Sequence, residues 1–147
     1  METACWRDYL IDSQLLRLQK VQNSAARIVT FTKRQDHISP VLKQLHWLPV
    51  KYRIEHKVLS HTFKALHNES PSYISDLVTK YIPSRSLRSE DQSLLQAPRM
   101  QSVTYGDRSF STLAPCLWNR LPMHIRTSST LCMFKRRLKT YYFTKAF

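Results

Sequence analysis

Residues 42–66 read LKQLHWLPVKYRIEHKVLSHTFKAL, and no other stretch of the chain alternates large apolar and basic side chains so densely. The pivot is His46-Trp47-Leu48-Pro49-Val50. Pro49 lacks an N–H and has a fixed φ, which suits the first turn of a helix and not its interior. The stretch therefore divides into a short helix ending near residues 45–47 and a longer one starting at Pro49. In the longer one Ile54, Val58, Phe63 and Leu66 share a side, with Tyr52 and Leu59 at its edges. Lys51, Lys57 and Lys64 lie mostly away from that stripe, giving an apolar helical period with a wet, cationic face. Trp47 stands at the corner, where a large ring locks two helices together.

Upstream, Leu15, Leu18, Val21 or Gln22, Ala25, Ile28 and Val29 form the apolar stripe of a helix running to about Thr30. Ala25 and Ala26 permit close approach by a neighbouring helix. Asp36 or Ser39 is suited to cap the short helix that follows, with Pro40 at its first position. Downstream, Pro71 opens another helix, capped by Ser70, with Tyr73, Ile74, Leu77 and Val78 on its apolar side. Residues 84–108 are rich in Ser, Arg and Gln, and segments 94–97 and 102–105 are read as two strands of a small hairpin. A short helix carries Leu113, Leu117 and Trp118. A last helix begins near Ser129, a suitable N-cap, with Leu131, Phe134, Leu138, Tyr141 and Tyr142 inward.

The expected fold is mainly α. Five to six helices form a compact bundle, with a small β-hairpin in the C-terminal half. Trp47, Pro49, Phe63, Trp118, Phe134 and Leu138 are its structural core, joined by Leu66, Ile74 and Leu77. Residues 1–13 are an unplaced extension. Residues 14–147 read as one domain: a helical half (14–83), a Ser/Arg-rich loop and hairpin (84–108), and basic C-terminal helices (109–147).

The formal charge is +13, from 23 basic and 10 acidic residues, and an excess of this size points to polyanionic partners. Residues 1–73 carry +5 and residues 74–147 carry +8, and no acid follows Asp107. The single glycine, Gly106, argues against a Gly-rich phosphate loop. Three widely spaced cysteines, Cys5, Cys116 and Cys132, fit reduced thiols in the cytosol or nucleus, with Cys116 and Cys132 as small buried hydrophobes. No run of eighteen apolar residues exists, so no membrane span is expected, and the first residues lack the apolar centre of a secretory signal.

Candidate chemistry is sparse. Two-metal nucleotidyl transfer needs closely spaced carboxylates, and none of the six aspartates adjoins another. Glu90-Asp91 is the one acidic doublet, in a Ser-rich stretch. His56, His61 and His67 are five and six residues apart, which does not give one helical face. His46 is placed to satisfy a carbonyl near the Pro49 turn. No cofactor, metal or small-molecule substrate is expected. What remains is the basic set Arg85, Arg88, Arg99, Lys135, Arg136, Arg137 and Lys139. Such cations neutralise phosphates, and nearby Tyr141, Tyr142 and Phe143 are rings that either stack bases or pack in the core.

The stretch LHWLPVKYRIEHKVLSHTFKAL resembles the region beyond the polymerase core in LINE-type (non-LTR) retrotransposon reverse transcriptases. The resemblance runs from about Leu15 to Phe147, through LQKVQNSAARIV, TKRQDHISPVLKQLHWLPVKYRI, PSYISDLV, PSRSLRS, TYGDRSFSTLAPCLWNRLP and FKRRLKTYYFTKAF. It implies a non-catalytic, C-terminal accessory segment that helps hold template RNA or target DNA, since the family's tandem aspartates are absent from this sequence. Two alternatives stay open: a helical fragment that binds a protein partner, and a truncated element product with no selected role.

Overall fold

Proline sets three helix starts in this protein. A computed structural model describes residues 12–83, 93–98 and 109–147. In it Pro49, Pro71 and Pro122 each stand just before a first helical residue, with ψ of 148°, 146° and 145°. Their carbonyls accept the first helical bonds, from Arg53, Ser75 and Arg126. The order is α1 (Asp12–Thr30), α2 (Ile38–Gln44), α3 (Val50–Leu66), α4 (Ser72–Ser75), α5 (Phe110–Asn119), α6 (Met123–Arg126) and α7 (Leu131–Ala146). The described chain is mainly helical, as expected, with seven helices in place of five or six; α4 and α6 are single turns.

The helix ends make up for the scarcity of glycine. Phe31, His46 and Asn68 take the left-handed position that ends α1, α2 and α3, with φ of 53°, 53° and 56°. The next residue then reaches back five positions: Thr32 N–H to Arg27 C=O, Trp47 N–H to Leu42 C=O, Glu69 N–H to Lys64 C=O. These are Schellman closures, usually made with glycine, and only asparagine among the three adopts that backbone at low cost. The N-cap positions fall elsewhere than expected, and that of α2 has no side-chain cap bond. His37 precedes α2 and Thr130 precedes α7, where its hydroxyl accepts from Met133 N–H at 3.3 Å. Asp36 accepts instead from Lys33 N–H, and Ser70 pairs with Ser75.

The main core is an aromatic node between α3, α5 and α7. Phe134 lies 4.6 Å from Phe63 and 5.6 Å from Trp118, ring centre to ring centre, and all three are buried. Leu59, Leu113, Leu117, Ile125 and Leu138 surround them. The pairs Phe63–Phe134 and Tyr52–Tyr142 (5.3 Å) show that α3 and α7 run antiparallel. Four of the six expected core residues, Phe63, Trp118, Phe134 and Leu138, are at the centre. Trp47 is half-buried and packs in a second, smaller cluster around Ala26, Val41 and Leu42. Pro49 is half-buried at its turn.

Several expectations are corrected. The inward phase of α3 is set by Leu59 and Phe63, both fully buried, while Ile54 and Val58 are half-buried. The expected helix after Pro71 shrinks to the one turn of α4, so Ile74 is half-buried and Leu77 is exposed. Segment 94–97 is not seen in a hairpin. Leu94–Gln96 pairs instead with 79–81, through Tyr81 N–H to Leu94 C=O (3.0 Å) and Gln96 N–H to Thr79 C=O (2.9 Å). Asn119 finishes that segment by bonding both the N–H and C=O of Leu95, at 2.9 and 2.8 Å. Its supposed partner, 102–105, lies outside the described residues. Cys116 is disulfide-bonded, against the expectation of reduced thiols, and Cys132 is an exposed free thiol and no buried hydrophobe.

Helix α1 departs furthest. Its inward side is polar and small. Gln22 donates to Leu48 C=O at 2.8 Å, Gln19 accepts from Val50 N–H at 2.9 Å, and Ala26 is fully buried. The apolar residues Leu18, Val21, Ile28 and Val29 face outward. The Pro49 bend explains this. It leaves backbone groups at Leu48 and Val50 without helical partners, and two glutamines of α1 satisfy them.

Candidate nucleic-acid interface

The basic residues of α7 do not form one patch. Positions 135 and 139 are one turn apart and share a face, while 136 and 137 point elsewhere around the helix. Lys135 and Lys139 lie toward α3. There His56 reaches the Lys135 carbonyl, 3.4 Å away, and both lysine charges act on its ring. On α3, Lys57 and Lys64 act on His61, and so does Lys135 from across the helix pair. Arg53, Lys57 and Lys64 follow one side of α3 at helical spacing. Two helices thus bring five cations to one ridge: Arg53, Lys57 and Lys64 from α3, Lys135 and Lys139 from α7.

A groove of ≈500 Å3 runs beside the ridge, with Arg53, His56, Lys57 and Lys139 along it and His46 and Trp47 at one end. Among the described residues the ridge has no carboxylate of its own. Helix α7 contains no acid, and the only one in α3 is Glu55. Glu55 is buried in a different groove, with Tyr52, Tyr141 and Tyr142.

Burial first, and the neighbouring positive charge second, act on the histidines of the ridge. Burial lowers the pKa of His56; the Lys135 carbonyl works against that, and the charges of Lys135 and Lys139 reinforce it. Burial likewise lowers the pKa of His61, helped by Lys57, Lys64 and Lys135. Both shifts favour the neutral ring, whereas an approaching phosphate would favour the protonated form.

Arg136 and Arg137 turn to the α6 side. Arg137 donates to His124 C=O at 2.6 Å and meets Ser128 Oγ at 3.4 Å, so it ties α7 to the short turn before it. Nearby, Arg126 is covered by the fold with Nε and Nη1 unpartnered, and burial lowers its pKa. Of the site residues expected from sequence, Lys135 and Lys139 come together with α3, Arg136 and Arg137 form a separate group, and Arg85, Arg88 and Arg99 lie outside the described residues. The aromatic residues of α7 pack inward: Tyr142 is buried, Tyr141 and Phe143 are half-buried against the core, and Phe143 also meets His46 at 5.5 Å. His46, expected near a carbonyl, is exposed.

Sequence reasoning missed His56, His61, Arg53, Lys57 and Lys64 as site residues. The signal was present as Arg53 and Lys57, one turn apart on the central helix, but which helix lies beside them is set by tertiary packing. Among the described residues, no group of three His, Cys, Asp or Glu side chains could hold a metal ion. Among the same residues no helix is long and apolar enough to cross a membrane. No protein-family model matches the chain, and no curated protein or solved structure matches it either.

Proposed function

We propose that this chain is a non-catalytic, basic helical module that grips the phosphate backbone of RNA or single-stranded DNA. On this reading it is an accessory segment of the LINE-type reverse transcriptases that its sequence resembles. The observation that carries the proposal is the α3–α7 ridge, where five cations from two helices flank His56 and His61, with no acid beside them among the described residues. Mutually repelling charges held together by a fold are offset when a polyanion lies across them. Sequence readout is not part of the proposal, because the rings of α7 that would stack bases are spent on packing. The geometry suits contact with phosphates, which positions a strand without reading it.

The test is a gel-shift salt titration of the purified chain with a labelled single-stranded RNA, beside a Lys57→Ala/Lys135→Ala/Lys139→Ala variant. Log K falls with log salt by about 0.7 per phosphate neutralised on a single strand. The variant should therefore bind more weakly and lose about 2 from the slope. An Arg136→Ala/Arg137→Ala variant should keep most of the slope. Equal binding by all three proteins, or none at low salt, overturns the reading.

A further inference from the structure

Helix α1 shows solvent the side that helices ordinarily hide. Leu18, Val21 and Ile28 are 50%, 68% and 74% exposed, and Ala25 sits between them half-buried. Positions 18, 21, 25 and 28 are spaced three, four and three apart, the a/d rhythm of a helix-pairing seam. Alanine in the middle of that seam lets a second helix come close. Val29, 57% exposed, widens the stripe at its C-terminal end. Beyond it Phe31 is 94% exposed, held outward by its left-handed backbone. This is no packing accident at a frayed end. The helix is pinned from behind by Gln19, Gln22 and Ala26, so the apolar seam cannot roll inward without breaking the bonds to Leu48 and Val50.

The electrostatics around the seam select the partner. Between Asp12 and Asp36 there are five cations, Arg17, Lys20, Arg27, Lys33 and Arg34, and no acid. Beside the seam runs an open groove of ≈990 Å3, with Lys20, Arg27 and Arg34 on it next to Ile28 and Phe31. A second copy of this chain would bring the same cations against themselves. A helix with apolar a and d positions flanked by glutamates would bury the seam and neutralise its borders.

We infer that the outward seam of α1, residues 18, 21, 25 and 28 with Phe31, docks an acidic amphipathic helix of a partner protein. This interaction uses other residues than the polyanion contact: the groove beside the seam and the groove beside the α3–α7 ridge share no lining residue. A contiguous 3-4 seam with a small central residue fits a helix better than it fits a lipid surface, which asks only for an apolar face of any spacing.

The probe is a synthetic amphipathic helix of four heptads, with Leu at a and d and Glu at e and g, labelled for fluorescence anisotropy at physiological salt. A second peptide carries Lys in place of Glu. The acidic peptide should bind the full chain in the micromolar range, and the basic one at least about tenfold more weakly. A Val21→Ser/Ile28→Ser variant leaves the charge unchanged at two exposed positions. It should lose about tenfold for the acidic peptide and keep its affinity for single-stranded RNA. The Lys57→Ala/Lys135→Ala/Lys139→Ala variant should show the reverse, so failure of one proposal is distinguishable from failure of the other. Four outcomes overturn the inference: no binding of the acidic peptide; equal binding of it by the serine variant, which would mean charge alone; sedimentation showing a dimer that the serine substitutions dissolve; or uptake of the chain by phosphatidylserine vesicles that those substitutions abolish, with the peptide left unbound.

Discussion

Helices α3 and α1 are of similar length and both mix apolar with basic residues, yet they spend them in opposite ways. In α3 the large side chains Leu59 and Phe63 go to the core, and the cations line a ridge shared with α7. In α1 the core side holds two glutamines and an alanine, and the large side chains face water. The lesson is that burial in this chain follows unsatisfied backbone as well as hydrophobicity. The Pro49 bend leaves polar main-chain groups that need partners, and only long amide side chains reach them. That need turned α1 over and left its seam free.

The largest test of the contrast is a pair of truncations. Phe134→Ala removes the ring that touches both Phe63 and Trp118, and should cost about 3–5 kcal/mol, enough to unfold much of the chain. Val21→Ser on α1 should stay within about 0.5 kcal/mol, as exposed substitutions do. Urea unfolding followed by circular dichroism measures both. A large loss at Val21 would mean that the seam is already covered within the chain.

The next test is aimed at the pins. Gln22→Ala leaves the Leu48 carbonyl without its donor in a covered place, which should cost about 1–3 kcal/mol. Because one oxygen of Gln22 is itself unpartnered, removing the side chain also removes a buried unsatisfied group, so the loss should fall in the lower part of that range. Hydrogen exchange should show faster opening of α1 and the first turn of α3 together. Opening of α1 alone would show that the glutamines do not couple the two helices.

How far the sequence told these regions apart can be traced residue by residue. The bend at Pro49, the helix after it and the aromatic trio Phe63, Trp118 and Phe134 were legible, because a proline and large apolar residues at helical spacing leave few alternatives. The phase of α3 was not, since its apolar residues spread round most of the helix and several elements pack on it; only the packing chose Leu59 over Ile54. The stripe of α1 was legible as a pattern and misleading as a direction. Periodicity reports that a helix has an apolar side but not that a neighbour needs its polar side. The block from Lys135 to Lys139 read as one basic patch, and the helical turn divided it, sending Arg137 to a structural bond with His124. Residues 57 and 64 joined the lysines of α7 only through antiparallel packing, which no local spacing encodes.

A gentler probe of the ridge is pH. His56 and His61 have folded pKa values below the ordinary histidine value, burial being the main cause. Between the folded and unfolded values the unfolded chain binds more protons, so stability rises with pH there. The free protein should therefore be steady above the usual histidine pKa, about 6.5, and lose stability as pH falls below it. Phosphates on the ridge reverse the sign, because they favour protonated rings. RNA affinity should grow over the same interval in which the free protein weakens. A His56→Gln/His61→Gln variant should flatten both trends, and affinity independent of pH in the parent chain would place the bound strand away from these histidines.

The smallest expected effect concerns the hinge between the two regions. His46 ends α2 in a left-handed conformation that a residue with a side chain adopts at a cost of about 1 kcal/mol. His46→Gly removes that cost but gives the unfolded chain more freedom, which takes back about 0.5–1 kcal/mol. The contact of His46 with Phe143 is lost as well. The three terms nearly cancel, so stability should change by no more than about 0.5 kcal/mol in either direction. Binding is the sharper readout, because His46 closes one end of the ridge groove. Phosphate contact through Arg53, Lys57, Lys135 and Lys139 does not require an imidazole there, and RNA affinity in His46→Gly should stay within about twofold of the parent. A loss of ten times or more would move the strand's path off the lysines and onto the bend, joining the two surfaces that α1 and α3 otherwise keep apart.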